Sequence, residues 1–236
     1  MFSKPAVYYD AIYAARGKDY AREAEQLHGL IQQHKQCKGN TLLDVGCGTG
    51  AHLRHLRNFY DVAGLDLDPD ILEVARHNCP DIVFHCADMA DFNLDRRFDA
   101  IVCLFSSIGY VKTLDRLQRA AQTMGDHLNA GGLLVVEPWF SPGVLQHGGV
   151  HAAFADQPEL KIARMNVHEI TGNVSVLNFH YLVATPDGVE HFTERHELGL
   201  FTHDEYLAAF RVAGLEVAHD PQGLDGRGLY IGANPN

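Results

Sequence analysis

The chain has 236 residues, of which 46% are hydrophobic and 21% are charged, a balance typical of a globular protein with one large domain. Its formal net charge of −11 argues against a nucleic-acid partner, because phosphate backbones are bound by clustered Lys and Arg. No apolar run approaches the roughly 20 residues of a membrane span, and residues 1–10 contain no signal-peptide core. Three of the five cysteines lie in or beside predicted strands, so we expect reduced thiols and a cytoplasmic protein.

The first predicted elements are helices that form an N-terminal arm over residues 1–36. Apolar side chains recur at helical spacing between residues 19 and 34. Tyrosines stand at positions 8, 9, 13 and 20. These tyrosines either pack in the core or lie over a ligand cleft, and the second interpretation is favoured for Tyr13 and Tyr20.

A glycine-rich turn follows the first predicted strand. The run Asp44-Val45-Gly46-Cys47-Gly48-Thr49-Gly50 stands between an apolar stretch and one with helical spacing, which is how a nucleotide-binding βαβ unit begins. Glycine in such a turn lets a ligand approach the backbone and permits positive φ, while the helix directs free N–H groups at the ligand. The D-x-G-x-G-x-G spacing differs from the G-x-G-x-x-G of dinucleotide folds. It resembles motif I of the class I methyltransferases, which bind S-adenosylmethionine (SAM).

Acidic residues end the next two predicted strands. Asp66 lies twenty residues after Gly46, where a carboxylate can accept hydrogen bonds from both ribose hydroxyls. The third strand leads into Asp88 and Met89, the kind of pair that SAM enzymes set against adenine. Because ligands bind at the carboxyl ends of strands in open α/β sheets, these positions predict a cofactor site. The other elements of this half are predicted as strands over 98–105 and 132–137 and an amphipathic helix over 114–128.

The second half of the chain begins with a change of pattern after Glu137. Alternating apolar and polar residues between hairpin turns predict a small antiparallel insert at about 140–200. Its three predicted strands cover 162–169, 174–184 and 189–200. The α/β pattern then returns, with a helix from Thr202 to about Ala213 and two short strands. We expect the insert to cap the active site, to provide a dimer face, or both.

With these elements in place, the chain resembles the bacterial N-methyltransferases that act on the amino group of dTDP-linked deoxyamino sugars in antibiotic biosynthesis. The likeness extends over roughly residues 8–232. It depends on several runs: Arg16-Gly17-Lys18-Asp19-Tyr20, Asp88-Met89, Phe105-Ser106-Ser107, Glu137-Pro138-Trp139 and Gly226-Arg227-Gly228-Leu229. The resemblance implies one α/β domain over 1–236 with the Rossmann-like class I fold, whose mostly parallel seven-stranded sheet has an antiparallel last strand. It also implies a homodimer.

The strand-end positions and the resemblance together give a predicted site. The residues expected to bind SAM are Arg16, Tyr20, Gly46, Cys47, Gly48, Gly50, His52, Asp66, Leu67, Ala87, Asp88, Met89 and Leu104. The residues expected to contact the substrate are Tyr13, Ser106, Trp139, Arg164, His180 and Arg227, among which the two arginines can pair with phosphates. Tyr13 and Tyr110 are expected to orient the amine, and either of them to relay its proton.

Three other functions stay open from the sequence. They are a SAM-dependent methyltransferase of another small amine or hydroxyl compound, an NAD-dependent oxidoreductase, and a non-catalytic protein with a SAM-binding fold. The intact glycine turn together with Asp66 counts against the last. The 15 histidines invite a metal hypothesis, but their pairs lack the i, i+4 spacing of H-E-x-x-H and no C-x-x-C accompanies them, so we expect no metal.

Overall fold

Two β-sheets and a helical arm make up the protein in a computed structural model, which describes residues 6–235. The first five residues of the predicted arm lie outside the described residues. The helices are α1 (Ala6–Ala15), α2 (Tyr20–His34), α3 (Leu53–Leu56), α4 (Pro69–Asn78), α5 (Leu114–Asp126) and α6 (His203–Val212), with a 3-10 helix at Ser107–Val111. The strands are β1 (Thr41–Val45), β2 (Asp61–Asp66), β3 (Val83–Cys86), β4 (Phe98–Cys103), β5 (Leu128–Val136), β6 (Val150–Gln157), β7 (Leu160–Thr171), β8 (Val174–Thr185), β9 (Gly188–Gly199), β10 (Glu216–Asp220) and β11 (Leu229–Ala233).

The larger sheet has seven strands in the order β3-β2-β1-β4-β5-β11-β10. Strands β1 to β5 pair in parallel, whereas β11 runs antiparallel to both β5 and β10. The predicted Rossmann-like α/β sheet with an antiparallel last strand is therefore confirmed. Strand β4 is buried along its whole length, because it is a central strand covered on both faces of the sheet. The carboxyl ends of β1, β2 and β4 meet at one edge of this sheet.

The insert is a separate antiparallel sheet of four strands, β6-β7-β8-β9, one more than predicted. The prediction missed β6 because its buried positions are the small Ala153 and Ala155, which give a weak strand pattern. Alternation along the strands gives this sheet two faces. The inner face carries the row Ala153, Arg164, Tyr181 and Phe192, and the outer face carries the adjacent row Phe154, Ala163, Leu182 and His191.

The arm connects the two sheets. It breaks into α1 and α2 around Gly17, which has a φ of +79°, instead of running as one helical stretch. Helix α1 packs on the inner face of the insert through Ile12, which is fully buried. Asp10 accepts a hydrogen bond of 2.8 Å from the Thr49 hydroxyl of the glycine turn. Helix α1 therefore lies as a wall between the glycine turn and the insert.

Local sequence signals set the helix boundaries near the site. Asp68 caps α4 by accepting from the backbone N–H of Asp70 at 2.9 Å, and Thr202 forms a capping box with Glu205 at the start of α6. All five cysteines are free thiols. Within residues 6–235, every helix is too short or too polar to cross a membrane.

Candidate active site

A cavity of about 1510 Å³ lies at the carboxyl edge of the larger sheet. Its walls are the strand ends, the arm and the inner face of the insert. Single-ligand sites are usually about 300–1,000 Å³, so the cavity has room for a cofactor and an acceptor together. Of the predicted site residues, those that line it are Tyr13, Arg16, Gly46, Gly48, Asp66, Leu67, Ala87, Asp88, Met89, Tyr110, Trp139, Arg164 and Arg227.

The glycine turn forms one end of the cavity. Gly46 and Gly48 have φ values of +73° and +54°, a region that side chains rarely occupy. A Cβ on Gly46 would lie 2.6 Å from the Cβ of Ser107, so only glycine leaves this approach free. The Gly48 N–H donates to Asp66 at 2.9 Å. Burial raises the pKa of Asp66, although backbone donors from Asp68 and Gly48 partly oppose the rise.

Several predicted residues lie behind this wall. His52 is buried and its Nε2 lies 2.8 Å from a carboxylate oxygen of Glu23, while the Tyr20 ring packs edge-on against it. Gly50 has a φ of +77°, which favours glycine, and a Cβ there would be in ordinary contact with Cys79 and Phe84 at 3.5 Å, so this glycine faces the protein interior. The predicted residues outside the cavity lining are Tyr20, Cys47, Gly50, His52, Leu104, Ser106 and His180.

His180, predicted as a substrate contact, lies outside the lining of this chain's cavity. Its neighbour Tyr181 pairs with Arg164 on the inner face, and alternation along β8 sends His180 to the outer face. There it is exposed and stacks on His191, with ring centroids 5.6 Å apart. The alternation was visible in the sequence, but which residues face inward depends on the pairing with β7.

Lys18 is a site residue that sequence reasoning did not single out, although it belongs to the Arg16–Tyr20 run. Its ammonium lies 2.8 Å from Glu23 and 4.0 Å from the centre of the Phe105 ring, and the side chain is only 8% exposed. Burial alone would raise the pKa of Glu23, but hydrogen bonds from His52 and Lys18 lower it. This buried ion pair places a positive group in the cavity wall near the glycine turn.

Asp88, the predicted adenine partner, is already paired. Both of its carboxylate oxygens accept from Arg116, at 2.8 and 2.7 Å. Although burial opposes it, hydrogen bonds from Ala90 and Arg116 lower the pKa of Asp88. The carboxylate therefore stays ionised and is held in place by α5, beside the Met89 that lines the same wall.

Arg227 and Arg164 differ in their surroundings. Arg227 pairs with Glu137 at 2.9 Å and with Asp225, and it donates to the Ser106 hydroxyl at 2.7 Å. It therefore ties the 226–228 loop to the turn after β4, and its charge is compensated. Arg164 is 5% exposed and forms no ion pair with any residue of the described part of the chain. Its guanidinium lies over the ring of Phe179 at 4.5 Å and that of Tyr13 at 5.2 Å.

The turn after β4 explains the Phe105-Ser106-Ser107 run. Phe105 and Ser106 have φ values of +51° and +64°, so two consecutive non-glycine residues adopt the left-handed region. The Phe105 N–H donates to Glu137 at 2.6 Å and the Ser106 hydroxyl donates to the Pro138 carbonyl at 2.7 Å. Burial raises the pKa of Glu137 to about 7 even though Arg227 opposes the rise. The turn is thus held by residues at the end of β5.

Tyr110 contacts His196 on the inner face of β9 and, through it, lies near Glu194, two residues that the sequence did not indicate. Its hydroxyl lies 2.7 Å from Nδ1 of His196, and Nε2 of the same imidazole lies 3.1 Å from Glu194. The Tyr181 hydroxyl donates to the other oxygen of Glu194 at 3.0 Å. The alternation of polar residues along β9 was the signal available in the sequence. Only the pairing of β9 with β8 shows that Glu194 and His196 face the cavity.

Comparisons with known proteins agree with this geometry. The profile of a family described as a methyltransferase domain matches residues 42–132. The chain is 43% identical, over 95% of both lengths, to a dTDP-3-amino-3,4,6-trideoxy-alpha-D-glucopyranose N,N-dimethyltransferase of Streptomyces venezuelae. It is also 43% identical, over 95% of its own length and 88% of the relative, to a dTDP-3-amino-3,6-dideoxy-alpha-D-glucopyranose N,N-dimethyltransferase of Streptomyces fradiae.

Solved structures of methyltransferases are also similar to this chain. The crystal structure of DesVI from Streptomyces venezuelae superimposes with a TM-score of 0.91 at 42% identity and covers 97% of both chains. SAM-bound CalS10 from Micromonospora echinaspora, an amino pentose methyltransferase, gives a TM-score of 0.87 at 36% identity over 96% of both chains. The choice that the sequence left open between SAM and NAD is thereby decided for SAM. The chain belongs to the family of SAM-dependent methyltransferases that includes these sugar N-methyltransferases.

Proposed function

We propose that this protein transfers a methyl group from SAM to the amino group of a nucleotide-linked deoxyamino sugar in the cytoplasm. The observation that carries the acceptor class is Arg164, a buried cation with no carboxylate partner among the described residues, in the cavity wall formed by the insert. A buried charge without a partner is unfavourable unless a ligand supplies the opposite charge. A diphosphate is such a ligand, and it would link the sugar to its nucleotide.

The residues at the sheet edge fit the cofactor. The open approach beside Gly46 and Gly48 suits the backbone contacts of a nucleoside, and Asp66 at the end of β2 is placed to hold ribose hydroxyls. Lys18, paired with Glu23 in the same wall, is placed to attract a carboxylate. When bound, SAM supplies a methyl group that its positive sulfur has already activated.

The insert contributes the residues that we expect to bind the methyl acceptor. Asn166 follows Arg164 on the inner face of β7 and is 6% exposed. Its amide nitrogen is buried and has no hydrogen-bond partner within residues 6–235. A side-chain amide offers both a donor and an acceptor, which suits the polar edge of a pyrimidine base. Arg164 and Asn166 together support a substrate whose anionic and base parts lie along β7.

The chain's part in the reaction is alignment and proton removal. Displacement at a methyl group requires the nucleophile in line with the bond that breaks, so holding the amine in position supplies most of the rate. The amine must also be a free base, because an ammonium has no lone pair to attack with. Tyr13 and Tyr110 both line the cavity, and each has a hydroxyl that can accept a hydrogen bond from the amine.

The proposal extends to a homodimer formed through the outer face of the insert. Apolar side chains there are widely exposed: Phe154 by 59%, Leu182 and Val167 by 52%, and Met165 by 47%. A contiguous exposed apolar surface is typical of an interaction site, and a second copy would cover it symmetrically.

Light scattering should give twice the chain mass of 26.1 kDa. Leu182→Glu should give monomer, Val212→Glu on exposed α6 should leave the dimer intact, and a monomeric wild type would contradict the dimer.

The acceptor is tested with purified protein, labelled SAM and a panel of amines. We expect one or two methyl groups on dTDP-linked amino sugars, a much slower reaction with the same sugars lacking the nucleotide, and none with simple amines. A mass spectrum of each product distinguishes one methyl group from two. Methylation of non-sugar acceptors alone would overturn the proposed substrate class.

A further inference from the structure

The inner face of β9 carries two polar side chains that reach the cavity through Tyr110. Glu194 and His196 are 6% and 7% exposed, and both stand on the side of the strand that faces the cavity. His196 lines the cavity together with Tyr110. Buried polar groups usually have hydrogen-bond partners, yet Oε1 of Glu194 has none within residues 6–235, and the contacts of the two side chains form a chain that begins at the ligand cavity.

We infer that Tyr110, His196 and Glu194 form a proton relay that takes a proton from the acceptor ammonium before methyl transfer. The inference depends on the proposed function, because it needs an amine acceptor beside Tyr110. Tyr110 is the catalytic residue of the three, since it faces the ligand. His196 and Glu194 act through it.

The distances assign a direction to the relay. The Tyr110 oxygen lies 2.7 Å from Nδ1 of His196, so a neutral imidazole can accept the phenol proton there if its own proton is on Nε2. Nε2 lies 3.1 Å from Oε1 of Glu194, an electrostatic contact and not an aligned hydrogen bond, and the negative carboxylate favours a proton on that nitrogen. Tyr181 donates to the second oxygen of Glu194 at 3.0 Å, which fixes the orientation of the carboxylate.

The proton balance is simple. The ammonium of the acceptor gives a proton to the Tyr110 oxygen while the phenol proton of Tyr110 passes to Nδ1 of His196. The amine is then neutral, Tyr110 is again a phenol, and His196 is an imidazolium beside the Glu194 carboxylate. Burial raises the pKa of Tyr110, and nearby Tyr13 and Glu194 raise it further. A phenolate therefore does not accumulate, and the imidazolium returns its proton to water after the product leaves.

Other charged and titratable groups surround the relay. Arg164 on β7 lies opposite Tyr181, and although burial opposes the rise, electrostatic interaction with the Tyr13 and Tyr181 hydroxyls raises the pKa of Arg164. The ring of Phe179 lies 5.3 Å from that of His196 and shields it from water. The titratable and charged groups facing the relay from the packed elements are Tyr9 and Tyr13 of α1, Asp66 of β2, Arg164 and His168 of β7, Tyr181 of β8 and Glu194 of β9.

The experiment separates proton removal from simple support of the Tyr110 ring. Methylation rates at saturating substrate are measured from about pH 6.5 to about pH 9.5, the range in which an amine beside electron-withdrawing groups loses its proton, as an α-amino group does near about pH 8. Tyr110→Phe and His196→Gln should lower kcat by roughly 100-fold or more at the lowest pH and approach wild type at the highest, where the acceptor arrives as a free base. Glu194→Gln should behave in the same way with a smaller loss.

The controls keep the result interpretable. His34→Gln changes a histidine at the end of α2 whose side chain is exposed, and it should match wild type at every pH. Thermal unfolding and binding of S-adenosylhomocysteine check that each variant is folded. An equal loss at all pH values would overturn the relay and leave only support of the ring. A wild type that is inactive on every amino sugar would instead overturn the proposed function, and the relay with it.

A second measurement needs no substrate. Nitrogen NMR of the imidazoles in the whole protein, compared with His196→Gln to assign the signal, identifies the tautomer of His196. We expect the proton on Nε2, and a changed signal in Tyr110→Phe. A proton on Nδ1 would overturn the relay, because that nitrogen could not accept from Tyr110.

Discussion

The two ends of the cavity differ in how they treat a buried ionisable group. At the sheet edge, Asp44 lies near the end of β1 behind the cavity wall, is 2% exposed and forms no ion pair with any residue between 6 and 235. Burial raises the pKa of Asp44 to about 7, so this carboxyl takes up a proton readily. In the insert, Arg164 is 5% exposed and also forms no ion pair within that range, yet a guanidinium keeps its charge when buried. The contrast teaches that the sheet edge avoids a buried charge while the insert keeps one, which supports the proposed anionic substrate.

The largest expected effect is on the pH dependence of stability through Asp44. Burial, with a smaller contribution from Asp66, raises the pKa of Asp44 from 3.8 to about 7. The folded state therefore holds this proton more tightly than the unfolded state, and stability is lost as pH rises from about 4 to about 7. Asp44→Asn should remove this loss, which amounts to about 4 kcal/mol at most.

Urea unfolding of both proteins between about pH 5 and about pH 8 checks this prediction. Asp99 is the matched control, because hydrogen bonds from Thr41 and Asn129 outweigh its burial and lower its pKa to about 2. Asp99→Asn should destabilise the protein equally across that pH range, since the wild-type carboxylate is ionised throughout. Parallel curves for Asp44→Asn and wild type would show that Asp44 titrates normally.

Arg227 gives an effect of comparable size. Replacing it with Met leaves Glu137 fully buried without its cation, and Glu137 is 0% exposed. Removing one partner of a buried ion pair costs about 3–5 kcal/mol, so thermal and urea unfolding should both show a marked loss of stability near pH 8. The loss should shrink toward pH 5, where Glu137 becomes protonated because its pKa is raised to about 7. An unchanged unfolding midpoint would mean that Arg227 is free to bind the substrate instead.

The two ends of the cavity also differ in how well they could be predicted from the sequence. The sheet edge was predictable because glycines at fixed spacing dictate the backbone locally, and Asp66 follows at the end of the next strand. Chain-local patterns could not separate Gly48, which lines the cavity, from Gly50, which packs against Cys79 and Phe84. That distinction depends on which element covers the turn.

The insert was harder to predict because its site depends on register. Arg164 and Asn166 face the cavity only because β7 pairs with β8 so that Arg164 lies opposite Tyr181. A shift of one residue would send every side chain of a strand to the other face. For this reason the sequence offered His180 as a contact and missed the inward-facing pair Glu194 and His196.

A substitution of Gly46 tests directly whether the glycine turn at the sheet edge binds the cofactor. Gly46→Ala forces a side chain into positive φ and brings its Cβ to 2.6 Å from that of Ser107. Backbone strain and overpacking together should weaken binding of S-adenosylhomocysteine by about 2–5 kcal/mol, as measured by calorimetry. Gly172→Ala, at a φ of +58° with open space around it, should leave the affinity unchanged. If both variants bind normally, the glycine turn is not the cofactor site.

Arg164 gives the smallest expected effect and the sharpest contrast with Arg227. Arg164→Met removes a cation that has no carboxylate partner in the described chain, so no buried carboxylate is left behind and stability should hold or rise. Binding of dTDP should weaken by about 1.5–3 kcal/mol, roughly 10- to 100-fold, because a charge-assisted contact is lost. Calorimetry with dTDP and with S-adenosylhomocysteine measures each end of the cavity separately, and the second affinity should not change. Unaltered dTDP binding would remove Arg164 from the acceptor end, and with it the charge complementarity that distinguishes the two ends.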